Sequence, residues 1–420
     1  MKISGQELCR ILFSVSIFGL MLITAGCEAS GEIEETVVEA PKPIFFPKPP
    51  TKARLQFLRS ISREKDFVDE SKNKRSGLER FVLGEEKVSK EIITKPFGVA
   101  IHDGKLYVCD VGKHLVEVLD IKGKKFSYLT KDRRLVNPAN IFIEPDGTKY
   151  ITDAVAGSIF VFDKDDQLKA ILGRELGIKP VDIVVRGKRC YVADLASNQI
   201  LVMDKTTGQE LHRIGKDGTK EGFFASIAGL ALDSKNNMYA SDKLLGTVKK
   251  YDSNGIFQAV IGQLDDSLVG LVRPKGIAID KEDRIWIVDT ASEVVKIFDS
   301  EHQLLLIFGR GGAEPGQMLL PATITIDYDN VELFKEYFAE GAIIEYLIIV
   351  ANQFGPNLIS IYGFGEFPEP ETTGSSDQQQ SSPENGSPPE TEIKDSSNEP
   401  PGSSEDSSIS KEENISEEKE

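Results

Sequence analysis

The sequence predicts an all-β fold, a six-bladed β-propeller whose ring is closed by an N-terminal strand. Three observations carry that prediction. Two aspartates ten residues apart recur in "YVCDVGKHLVEVLD" (107–120), "YITDAVAGSIFVFD" (150–163), "YVADLASNQILVMD" (191–204), "YASDKLLGTVKKYD" (239–252) and "WIVDTASEVVKIFD" (286–299). A short apolar stretch precedes each copy and appears once more near residue 320; its first position is Pro96, Pro138, Pro180, Ile227, Pro274 and Pro321, in steps of 42 or 47 residues. A fourth apolar run closes the unit, as in "QLKAILG" (167–173), "ELHRIG" (210–215), "IFQAVIG" (256–262) and "QLLLIFG" (303–309). Four short strands every 40–50 residues, with turn residues between them, read as propeller blades.

The elements follow in chain order. Lys2 and Arg10 precede an apolar run, "ILFSVSIFGLMLIT" (11–24), of signal-peptide length and short for a membrane span. It ends in "TAGC", which resembles a bacterial lipoprotein box. Residues 1–26 are therefore expected to be a lipoprotein signal peptide and Cys27 the lipidated residue. Several acyl tails on one cysteine give stable anchoring, so the chain is expected in the bacterial cell envelope, facing the periplasm or exterior. Residues 27–53, acidic and then proline-rich, read as a stiff, extended tether.

"RLQFLRSIS" (54–62) reads like the fourth strand of a blade, and the sixth unit lacks one. Closing the ring with it leaves no open sheet edge, so the propeller is expected to fill 54–366. The sixth unit carries an insertion, 328–346, with Val331, Phe334 and Tyr337 at helical spacing, which predicts a short helix. Residues 367–420 are Ser, Glu, Pro, Gln and Asn with few large apolar side chains, and are expected to be a disordered acidic tail. From Glu366 onward the chain carries −13 of its formal −17. The body is mildly acidic, which argues against a nucleic-acid partner, since phosphate binding needs clustered Lys and Arg.

The repeat resembles the NHL-repeat family of propellers. The residues that carry the likeness are the Pro-x-Gly-[IV]-Ala-[IV] opening (Pro274, Gly276, Ile277, Ala278, Ile279), the Tyr/Trp-x-x-Asp strand, and the aromatic-Asp end at Phe298–Asp299. The family's turn Asn appears only as Asn198, and its turn Arg is absent. Bacterial relatives of this architecture often accompany c-type cytochromes and other exported electron-transfer machinery. The resemblance thus implies a protein-binding scaffold in the cell envelope, attached to the membrane through its lipid.

Candidate site residues divide into three groups. Asp110, Asp153, Asp194, Asp242 and Asp289 end the second strands, where a carboxylate accepts turn amide hydrogens, and five copies in five blades cannot converge on one substrate. Asn140, Asp182 and Thr323 occupy the variable position of the inner strands and offer oxygen donors at the channel mouth, a candidate small-ligand or calcium site. Phe223 and Phe224 on a loop, with Phe354, are expected to form a partner surface centred on the 215–226 loop and the 328–346 insertion. The histidines (His102, His114, His212, His302) fall in separate places and cannot share one tetrahedral zinc. Cys109 and Cys190 point to opposite faces of their sheets, which makes a disulfide between them unexpected. No Cys-x-x-Cys-His motif, Ser–His–Asp set or glycine-rich phosphate loop is present, so no cofactor is expected. The chain is read as a non-enzyme; the alternative is a calcium-dependent sugar- or lactone-hydrolysing propeller using the central channel.

Overall fold

A computed structural model describes residues 42–66, 91–130, 134–215 and 222–368. The signal-like segment, Cys27 and the acidic tail beyond Pro368 lie outside the described residues. Strand β1 (Ile44–Phe46) and strand β2 (Leu55–Ile61) come first. Five regular blades follow, each an antiparallel sheet in chain order. They are β3–β6 (Pro96–His102, Lys105–Asp110, Leu115–Asp120, Lys125–Tyr128) and β7–β10 (Pro138–Ile143, Lys149–Asp153, Ser158–Phe162, Leu168–Leu172). The third and fourth are β11–β14 (Pro180–Arg186, Arg189–Asp194, Gln199–Asp204, Glu210–Ile214) and β15–β18 (Ile227–Leu232, Met238–Asp242, Thr247–Tyr251, Phe257–Ile261). The fifth is β19–β22 (Pro274–Ile279, Ile285–Asp289, Val294–Phe298, Leu304–Phe308).

The sixth blade is made from both ends of the domain. Strands β23 (Pro321–Asp327), β24 (Ile343–Asn352) and β25 (Ile359–Glu366) are completed by β2, in the sheet order β1-β2-β25-β24-β23. Leu55 pairs with Phe364 and Ile61 with Ile359, so the N-terminal strand closes the ring. The first strands of the blades neighbour one another around the channel, and β23 meets β3 to complete the circle.

The chain before β2 differs from an extended tether. Ile44–Phe46 adds a fifth strand to blade six, with Ile44 opposite Phe57 and Phe46 opposite Leu55. Three bulky β-formers are enough for a short edge strand, and Pro43 and Pro47, which lack an N–H, bound it. The Phe46 ring packs at 5.9 Å from that of Phe308 and 6.1 Å from that of Tyr362.

The insertion forms a 3-10 helix, Val331–Tyr337, which buries Phe334. It leaves blade six between its first and second strands, so it stands on the end of the ring where first strands finish. There Asn330 Oδ1 accepts the Gly104 N–H, and Gln56 Nε2 donates to the Tyr337 carbonyl. This corrects its expected place beside the 215–226 loop, which emerges on the other end. No helix among the described residues is long and apolar enough to cross a membrane.

Packing between neighbouring blades supplies the core. Trp286, fully buried, meets Phe308 of its own blade and Tyr346 and Phe364 of the next, all edge-on. Cys109 and Cys190 are buried free thiols within such layers, and burial pushes the Cys190 thiol up to about 12. Each second-to-third turn needs one left-handed residue, taken by His114 (φ 60°), Gly157, Asn198, Gly246 or Glu293. That need explains why glycine and asparagine interchange there.

Candidate functional site

The recurrent aspartates hold the ends of the blades together. Asp153 accepts N–H groups from Val155 and Ala156 in its own turn and from Val136 and Asn137 in the chain entering the blade. Asp110, Asp242 and Asp289 repeat that double grip, and Asp194 adds Arg213 Nη1 at 2.7 Å. All five are almost fully buried. In blade six Asn352 takes the position, and its Nδ2 donates to the Asn357 carbonyl and Ser360 Oγ. These carboxylates are occupied in positioning loops.

The structure brings Asn140 and Asp182 together but not Thr323. Asn140 Nδ2 donates to Asp182 Oδ1, which also accepts the Ile183 N–H at 2.7 Å. Asp182 Oδ2 accepts the Leu230 N–H at 2.8 Å. One carboxylate thus links blades two, three and four, with both oxygens engaged. Burial pushes it up to about 7, against the hydrogen bonds that hold it down. Thr323 lies in blade six, opposite blade three, against Gly276: a Cβ at that glycine would meet the Thr323 Cα at 2.5 Å. At Gly98 a Cβ would meet the Asn140 Cα at the same distance. The inner strands of neighbouring blades touch there, so glycine serves close approach. No group of three or more His, Cys, Asp or Glu among the described residues could hold a metal ion.

Every blade has a bulge just inside this end of the ring. The pairing of first and second strands shifts by one residue after Pro96, Pro138, Pro180, Ile227, Pro274 and Pro321. A bulge re-aims the side chain of the extra residue. Two large side chains at that position, Phe97 in blade one and Lys275 in blade five, meet: Lys275 Nζ stands 5.6 Å from the Phe97 ring centroid, past blade six. Lys95 Nζ lies 5.3 Å from the Phe354 ring centroid. Sequence reasoning missed these cations. The signal was available in the residues flanking the repeated proline, where Lys95, Lys179, Arg273 and Lys275 stand and no acid does.

Among the described residues, the same end carries most of the exposed large hydrophobic side chains. Of fourteen large hydrophobic side chains exposed among the described residues, nine lie there. Val136, Phe223, Leu264, Leu268, Val269 and Leu320 are in fourth-to-first connections; Val155, Leu244 and Phe354 are in second-to-third turns. The opposite end has Ile256 and Ile343. Phe223 and Phe354 are 44% and 50% exposed, but Phe224 is 4% exposed and belongs to the core. Its ring lies 5.9 Å from that of Tyr251, whose hydroxyl donates to the Gly222 carbonyl. The 216–221 part of this loop is outside the described residues.

No family model matches the chain, and no curated protein does. Among solved structures, a Bacteroides thetaiotaomicron protein of unknown function is 15% identical, over 65% of this chain and 70% of that one, with a TM-score of 0.51. Virginiamycin B lyase from Staphylococcus aureus is 13% identical over 64% of this chain and 84% of its own, with a TM-score of 0.44. Kuenenia stuttgartiensis hydrazine synthase is 15% identical over 65% of this chain and 96% of that chain, with a TM-score of 0.45. At such identities the likeness concerns the fold alone. The chain is a six-bladed β-propeller.

Proposed function

We propose that this is an exported propeller of the NHL-repeat type, anchored to a membrane through lipid on Cys27, which docks a protein of the cell envelope on one end of its ring. The observation that carries this reading is the uneven spread of exposed apolar side chains, nine of fourteen on the end formed by the fourth-to-first and second-to-third loops. Apolar groups gathered on loop tips, where water would otherwise be structured around them, favour an interface. Function on a propeller is set by such loops. The resemblance noted in the sequence makes a c-type cytochrome or other electron-transfer protein the first partner class to examine.

The test is capture of partners from gently solubilised membranes with the tagged full chain, identified by mass spectrometry and haem absorbance. Phe223→Ser with Phe354→Ser should lose the partner, while Ile256→Ser on the opposite end should retain it, both variants melting within a few degrees of the parent. Loss with Ile256→Ser and retention with the double variant would overturn the docking face. A bound metabolite without any protein would favour an enzyme.

A further inference from the structure

We infer that the channel mouth on this end is a binding site for a small polyvalent oxyanion, a phosphate or carboxylate compound, held by Lys275, Lys243 and Arg273 with Lys95 at the rim. The inference goes beyond the docking face and does not rest on it. Four cations converge here. Lys275 is carried inward by the bulge of blade five and reaches the Phe97 ring of blade one. Lys243 follows the second strand of blade four, Arg273 precedes the first strand of blade five, and Lys95 precedes that of blade one.

Lys275 lies within reach of the charges of the other three. Burial, together with the charges of Lys243, Arg273 and Lys95, lowers the Lys275 ammonium to about 8. Lys243 is lowered by burial and by Arg273, with Asp242 opposing. Among the described residues, no carboxylate forms an ion pair with any of the four, and none of their side chains donates a hydrogen bond. The nearby aspartates, Asp110, Asp242 and Asp289, already accept loop amides.

The three lysines buried most deeply are all satisfied. Lys149 pairs with Asp166 at 2.8 Å, Lys249 with Asp242 at 3.6 Å, and Lys296 donates to the Ser267 and Gly270 carbonyls. Four cations without carboxylate partners at one opening bear an electrostatic cost that an anion would remove. The Phe97 and Phe354 rings flank two of the cations, Lys275 at 5.6 Å and Lys95 at 5.3 Å.

The experiment is isothermal titration of the full chain with inorganic pyrophosphate and, separately, citrate, at pH 7 and low ionic strength. Saturable one-to-one binding is expected with at least one probe. Lys275→Gln and Lys243→Gln should each weaken it about tenfold, the effect of one charge contact of ~1.4 kcal/mol. Lys105→Gln, at the start of a second strand on the opposite end, should leave it unchanged. Affinity should fall as pH rises from 7 to 9, because Lys275 loses its proton there; Lys275→Arg, still charged, should bind with a flatter pH profile. Circular dichroism checks that each variant is folded. Absence of saturable binding of both probes, or equal binding by parent and folded Lys275→Gln, overturns the inference.

Discussion

Replacing Asp242 by alanine should be among the most damaging single changes outside the apolar core. Its fully buried carboxylate accepts four backbone N–H groups: Ala225 at 2.7 Å and Ser226, Leu244 and Leu245 at 3.1 Å each. Alanine strands all four, and leaves Lys249, 3% exposed, without its carboxylate. One fully buried orphan costs about 1–3 kcal/mol and the three nearer to water somewhat less, giving roughly 4–6 kcal/mol with the lysine included. For a domain of this size each kcal/mol moves Tm by about 1.5 °C, so a fall of roughly 6–9 °C is expected. Asp242→Asn keeps the oxygen that serves Ser226, Leu244 and Leu245, and should lose about a third as much. Asp252 is the control: it caps an exposed turn through the Asn254 and Ile256 N–H groups, and its alanine variant should cost about 0.5–1 kcal/mol. Scanning calorimetry at pH 7 reads all three. An Asp242→Ala melt within about 2 °C of the parent, or a larger loss at Asp252, would refute the double-grip role.

Three further outcomes are expected. Phe224→Ser should cost ~3–4 kcal/mol by emptying a core site, whereas Phe223→Ser should cost under ~0.5 kcal/mol; equal melting shifts would contradict the assignment of one ring inward and one outward. Asp182 is raised to about 7 from an unfolded value near 3.8, so its contribution is fully present below pH ~4 and is lost as pH rises toward 7. Stability of the parent relative to Asp182→Asn, followed by urea unfolding, should therefore decline across that window by up to ~4 kcal/mol, and a difference that rises with pH would reverse the sign of the argument. Cys27→Ser should leave unprocessed precursor or release the protein from membranes, read by fractionation and intact mass; unchanged fractionation and mass would end the lipoprotein reading.

Much of the ring was legible because its signals are periodic. Apolar alternation set the strands, and the missing fourth strand of blade six pointed to 54–62. The burial of Phe224 was also within reach. Ile93, Leu135, Leu271 and Met318 stand three residues before the repeated proline position, as Phe224 does, and all are buried. Within the loop alone, two adjacent phenylalanines look alike. The insertion was placed on the wrong end because its nearness to Phe354 in sequence obscured strand direction: a first-to-second connection opens opposite a second-to-third one. Ile44–Phe46 was hidden by its prolines, which suit both an extended tether and an edge strand. The cation cluster is a tertiary fact. Lys95, Lys243 and Lys275 come from three blades and meet only when the ring closes.

Site-directed photo-cross-linking tests the docking face most directly. A benzophenone amino acid placed singly at Leu268, Phe354, Ile256 and Ile343 of the full chain in cells reports what touches each end. Adducts of one common mass from Leu268 and Phe354, with none from Ile256 or Ile343, are the expected result. Adducts confined to Ile256 and Ile343 would place the partner on the opposite end and contradict the account.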